Sequence, residues 1–124
     1  MFEISVRRGF TAGHALRSPE GPIEEPHEHA FECEVTLASD GVDASGMAID
    51  FRRVDEAMGR IVEPLAGTDL QDTPPFAGES PSAENLARHI HGGLADVADV
   101  LGARIVSVKV WEDPDHCATY YENR

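Results

Sequence analysis

Phe31-Glu32-Cys33-Glu34-Val35-Thr36-Leu37 places an apolar side chain at every second position, with Glu32, Glu34 and Thr36 between them. Side chains alternate between the two faces of a strand, so this period of two predicts a strand buried on one face and polar on the other. It is the clearest strand signal in the chain. Upstream, Phe2, Ile4 and Val6 alternate with Glu3, Ser5 and Arg7, predicting a second half-buried strand that runs on to about His14. Between the two, residues 17–26 hold three prolines and a glycine and read as a loop.

Downstream, Asp40-Gly41 and Ser45-Gly46 mark turns. Val54, Met58, Ile61 and Leu65 then fall at helical spacing and predict an amphipathic helix over about 51–65. Asp72-Thr73-Pro74-Pro75 interrupts regular structure. Ser80-Pro81-Ser82-Ala83-Glu84 is a helix start, with a hydroxyl cap and a proline in the first turn. Leu86, Ile90, Leu94, Val97 and Leu101 form one apolar face of that helix. Residues 105–111 are rich in β-branched side chains and read as a strand, and residues 119–121 as a short closing strand. The order ββααββ implies an α+β fold, with a four-stranded antiparallel sheet and both helices on one face. With no internal repeat or linker, residues 1–124 are expected to form a single domain.

Twenty-three acidic residues against ten basic ones give a formal net charge of −13, which repels phosphate backbones and argues against a nucleic-acid partner. Cys33 and Cys117 are too few for a disulfide scaffold and read as small buried hydrophobes. No apolar run approaches the roughly 18 residues of a membrane span. The first residues lack the basic-then-apolar order of a signal peptide, so a cytoplasmic location and no membrane partner are expected. A chain of 124 residues buries only about two thirds of its unfolded surface and gains from oligomerisation.

The histidines carry the chemistry. His27 and His29 stand two apart at the entry to the second strand, so both imidazoles point to the same side. His14 ends the first strand, which is expected to pair with the second. Three neutral imidazoles with an open fourth position are the ligand set of a catalytic zinc site, where the ion can hold a water or polarise a substrate oxygen. The bland alternative is three ordinary histidines at or near the surface. His89 and His91 repeat the spacing on a predicted helix, where positions two apart do not face each other, and they read as structural.

Phe10-Thr11-Ala12-Gly13-His14, then a loop, then His27-Glu28-His29 resembles the 6-pyruvoyl-tetrahydropterin synthase family, which includes 6-carboxytetrahydropterin synthases. Further matches follow in the family's order: Gly46-Met47-Ala48-Ile49-Asp50-Phe51, Asp72-Thr73-Pro74-Pro75-Phe76, Ser80-Pro81-Ser82-Ala83-Glu84-Asn85-Leu86-Ala87 and Val108-Lys109-Val110-Trp111-Glu112. The resemblance covers nearly the whole chain. It implies the tunnelling fold (T-fold), a homotrimer or homohexamer with active sites between subunits, a bound Zn2+ on His14, His27 and His29, and Glu112 as the substrate-binding carboxylate. A carboxylate suits a guanidine-like edge, which it meets with two parallel hydrogen bonds.

The departures are as informative. The family's catalytic cysteine position, four residues before the His-x-His pair, is Ile23 here. The positions of its aspartate-histidine pair are Ala66 and Gly67, neither of which can move a proton. One branch of the family replaces the cysteine by a glutamate three residues before the pair, and Glu24 stands there. In that branch the resemblance implies retro-aldol cleavage of dihydroneopterin triphosphate to 6-hydroxymethyl-dihydropterin. Glu24 is therefore the candidate general base, with Glu25 its nearest competitor and a plain surface acid the structural alternative. His116, in the stretch after Glu112, is a candidate proton-transfer group in place of the missing histidine, or a solvated loop residue. These observations predict a zinc-dependent lyase or cyclase acting on dihydroneopterin triphosphate or a related small hydroxy-carbonyl substrate, with a specialised biosynthetic pathway as an expected setting. The alternative is a non-catalytic metal- or ligand-binding protein on the same scaffold.

Overall fold

Each alternating segment becomes a strand, and each strand outruns its apolar stretch. In the computed structural model, which describes residues 1–122, the order is β1 (Phe2–His14), β2 (Arg17–Ser18), β3 (Gly21–Pro22), β4 (His27–Ser39), α1 (Phe51–Val62), α2 (Ala83–Val100), β5 (Arg104–Asp113) and β6 (His116–Tyr120). The main sheet has the order β1-β4-β5-β6, with every pair antiparallel. It is the four-stranded T-fold sheet with two helices on one face. The face under the helices carries Phe10, Ala12, Phe31, Cys33, Val35, Leu37, Val108 and Val110, all buried. The opposite face carries Ser5, Arg7 and Glu32, which are exposed. Helix α1 lies over β1, and α2 lies over β5 and β6. None of the described helices is long and apolar enough to cross a membrane.

Helix α1 begins where Asp50 accepts the Arg52 backbone N–H at 3.0 Å and ends at Val62, three residues before the expected limit. Pro64 lacks the N–H that would continue the helical ladder. Gly67, at φ 74°, then turns the chain back along β1. Helix α2 is capped by the Ser82 hydroxyl, which accepts the Asn85 N–H at 3.1 Å. Pro81 therefore precedes the cap instead of occupying the first turn, and its carbonyl is available to the site described below. The expected loop over residues 17–26 contains a two-rung hairpin, Arg17 opposite Pro22 and Ser18 opposite Gly21. Long-range contacts hold it: the Arg17 guanidinium donates to the Phe76 and Glu79 carbonyls, and the Arg17 N–H to the Ser80 hydroxyl.

Two adjacent glycines in α2 have opposite duties. A Cβ at Gly93 would stand 2.7 Å from Ile61 Cδ1 and 2.9 Å from its Cγ1, on α1, whereas a Cβ at Gly92 would meet nothing within 4 Å. Gly92→Ala should raise stability by about 0.5–1 kcal/mol through helix propensity alone. Gly93→Ala carries the same backbone gain but loses about 1–3 kcal/mol by displacing a stiff β-branched neighbour. Urea or thermal melts should place Gly93→Ala below Gly92→Ala; equal midpoints would mean the helices are not in contact there.

Candidate metal centre

The β1–β4 register builds the centre. His14, the last residue of β1, lies opposite His27, and Ala12 lies opposite His29, so the three histidines share the helix-side face at one end of the sheet. Ring centroids are 4.7 Å apart for His14 and His27, 5.0 Å for His14 and His29, and 4.7 Å for His27 and His29. One ligand nitrogen from each lies within 4.8 Å of the others. Tetrahedral bonds of about 2.0–2.1 Å would bring such donors to about 3.4 Å, a closure within the reach of small ring rotations.

The ring orientations suit a metal. His14 is 1% exposed, and its Nδ1 lies 2.8 Å from the Pro81 carbonyl. A carbonyl only accepts, so Nδ1 carries the proton and Nε2 keeps its lone pair. His27 repeats the device with Nδ1 at 3.1 Å from the Glu25 carbonyl. Burial first, then the neighbouring His14 and His27 imidazoles, hold His29 below the ordinary imidazole pKa and favour its neutral, ligating form. The turn before α2 thus serves the end of β1, which is braced from its other side. Gly67 N–H donates to the Thr11 carbonyl, Gly13 N–H to the Thr68 carbonyl, and Ala15 N–H to the Gln71 side chain.

Two carboxylates flank the imidazoles. Glu112 Oε1 lies 3.9 Å from His14 Nε2. The β5–β6 register shifts between Trp111 and Asp113, leaving Glu112 as the extra residue of a bulge; bulges re-aim side chains in this way. Glu24 Oε1 lies 3.9 Å from His27 Nε2 and is steadied by the Leu16 N–H at 2.9 Å. Glu25, its competitor, contributes its backbone carbonyl. His116 opens β6 instead of lying in a loop. Its Nδ1 lies 2.7 and 2.9 Å from the two Asp113 carboxylate oxygens. The hydrogen bond to Asp113 and its negative charge raise the His116 pKa.

Residues 3–123 match the model of the family described as 6-pyruvoyl tetrahydropterin synthase. The chain belongs to this family. It is 23% identical to a 6-carboxy-5,6,7,8-tetrahydropterin synthase of Rickettsia conorii, over 93% of this chain and 96% of the relative. It is 24% identical to the synonymous protein of Rickettsia felis over the same shares. The 6-pyruvoyl tetrahydropterin synthase of Caenorhabditis elegans superposes with a TM-score of 0.82 at 21% identity, covering 99% of this chain and 98% of that one. The Plasmodium vivax 6-pyruvoyltetrahydropterin synthase does so with a TM-score of 0.78 at 16% identity, over 99% and 98%.

The positions read in the sequence as departures from the family's pattern have clear structural settings. Ile23 is 63% exposed and offers no reactive atom. Ala66 and Gly67 lie in the segment that hydrogen-bonds β1, and Gly67 uses its N–H for the Thr11 carbonyl. Cys33 is buried as expected, and burial pushes its thiol up to about 11, so it is not a thiolate at neutral pH. Cys117 is exposed, contrary to the expectation for a small hydrophobe, because alternation on β6 turns it away from the helix side, where Ala118 and Tyr120 pack. His91 is buried against Tyr120, at 5.0 Å between rings, and takes no part in the centre. Two contributors escaped the sequence reading. The Pro81 carbonyl has no sequence signal, whereas Asp113, three residues before His116 across the Pro114-Asp115 turn, had one.

Proposed function

We propose that this protein is a zinc-dependent lyase of the 6-pyruvoyl tetrahydropterin synthase type, acting on dihydroneopterin triphosphate or a related small hydroxy-carbonyl compound. The observation that carries the reading is the convergence of three imidazoles, two with their protons committed to backbone carbonyls, between carboxylates on two sides. His14, His27 and His29 would hold the ion. An all-imidazole set of three with room for a further ligand suits zinc. Bound there, zinc supplies a Lewis acid for a substrate oxygen.

The chain's own residues divide the remaining work. Glu112 anchors the substrate by accepting two parallel hydrogen bonds from a guanidine-like edge such as a pterin's. Glu24 removes a hydroxyl proton, and its carboxylate is held in place by Leu16 N–H. The Plasmodium vivax enzyme has been solved as variants of a glutamate described as its catalytic residue, which supports a carboxylate in this role. Retro-aldol cleavage is the outcome that a glutamate base supports. His116 is the second proton-transfer group. The open edges of β1 and β6 favour association into a trimer or hexamer that would cover them.

A binding protein without turnover is the second reading, and Ala66 and Gly67 at the relay positions favour it. Metal analysis followed by incubation with dihydroneopterin triphosphate separates the two. The lyase reading expects about one zinc per chain and release of an aldehyde from the substrate side chain. Bound zinc with unchanged substrate assigns the binding role. Within the lyase reading, Glu112→Gln should raise KM by about 10–100-fold, the equivalent of a lost charge-assisted hydrogen bond of about 1.5–3 kcal/mol, with zinc content unchanged. An unchanged KM would remove Glu112 from substrate binding.

A further inference from the structure

Carbon–carbon cleavage of this kind involves two proton transfers, since the hydroxyl loses a proton and the departing carbon gains one. Ala66 and Gly67, at the positions where the resemblance implies an aspartate–histidine pair, carry no group that can move a proton. Among the described residues the structure offers another aspartate–histidine pair at the metal end of the sheet. On β6, Tyr120 meets His91 of α2 and Ala118 packs against the core, so alternation puts His116 on the same helix side. His116 and Glu112 together line a recess of about 180 Å³ with Ala83, Glu84, Cys117 and Ala118. Glu112 is the shared wall, because its carboxylate is also 3.9 Å from His14 Nε2.

The Asp113 carboxylate is itself fixed. It accepts the Asp115 N–H at 2.8 Å while receiving His116 Nδ1 at 2.7 Å. Nδ1 is thus committed to Asp113, and Nε2 is the nitrogen left to exchange a proton. We propose that Asp113 and His116 form a replacement proton-transfer pair, in which His116 protonates the carbon released by bond cleavage and Asp113 is its positioning residue.

This inference rests on the lyase reading, and its proton balance is complete. Glu24 takes the proton of the hydroxyl. The O–H electron pair becomes the new C=O bond as the C–C bond breaks. The pair from that bond goes to the released carbon, which takes the proton from His116 Nε2. The exposed imidazole is recharged from water, and Glu24 returns its proton there. Among the described residues, Asp113, Asp115 and Glu112 of the β5–β6 hairpin place negative charge beside His116, and Glu84 of α2 lines the same recess. They favour the charged imidazolium that a donor must be.

The test uses the zinc-loaded protein with dihydroneopterin triphosphate, together with NMR titration of the His116 ring. Activity that needs protonated His116 falls as pH rises through its pKa. Asp113→Asn removes the carboxylate that raises that pKa, so both the NMR midpoint and the falling limb of the rate should move to lower pH. Asp113→Glu should restore part of both. His116→Gln should lower kcat by about 100-fold with KM and zinc content little changed. A turn with only a structural role would lower the melting temperature in these variants and leave the pH profile in place, which would overturn the proposal. Wild-type kcat in His116→Gln would overturn it too, while leaving the lyase reading intact. No turnover by the wild-type protein would overturn both.

Discussion

His14→Ala should strip the metal from the protein and abolish turnover, and it should also destabilise the metal-free fold. The first effect follows from the loss of one of three ligands. Even the outer hydrogen-bond partners of such ligands contribute about 10–100-fold to metal affinity, so loss of the ligand itself should exceed that. The second effect follows from burial. His14 is 1% exposed and serves the Pro81 carbonyl at 2.8 Å, which alanine would leave without its partner. An orphaned buried acceptor costs about 1–3 kcal/mol, and the vacated volume adds to it. His27→Ala is the control, since its side chain is 40% exposed. It should lose the metal equally while its metal-free melt stays near wild type. Metal content by mass spectrometry and urea melts of the stripped proteins read the two effects separately. Retention of one tightly bound ion by His14→Ala would show that the three rings do not form the centre.

Glu24→Gln should lower turnover by about 10²–10⁴-fold, the range for loss of a general base, with metal content and fold retained. Glutamine keeps an oxygen to accept the Leu16 N–H, so the loop's hydrogen bond survives and only the basicity is lost. Glu25→Gln provides the comparison. The contribution of Glu25 to the centre is its backbone carbonyl at 3.1 Å from His27 Nδ1, which the substitution leaves in place. Near-normal turnover in Glu25→Gln beside a large loss in Glu24→Gln would assign the base. The reverse result would move the role to Glu25, and normal rates in both would end the carboxylate-base reading.

Much of this architecture is legible along the chain because its causes are local. Alternation at Phe31, Cys33, Val35 and Leu37 reports a half-buried strand, and the 3.6-residue spacing of Leu86, Ile90 and Leu94 reports a helix face. The boundaries shifted where local chemistry competed. Pro64 shortened α1, and Ser82 took the cap that placed Pro81 outside α2. The hairpin at Arg17–Pro22 was hidden because its support comes from carbonyls about 60 residues away, at Phe76 and Glu79.

The same division runs through the site. The amino-acid sequence alone determined the α+β order, the side of the sheet shared by His27 and His29, and the absence of proton-transfer groups at Ala66 and Gly67. All of these follow from residue type and spacing. Only the tertiary structure decided that His14 faces His27, that the Pro81 and Glu25 carbonyls hold the rings with Nε2 free, and that the bulge brings Glu112 beside His14. Those facts depend on strand register and on where distant segments cross, and a periodicity carries no information about either.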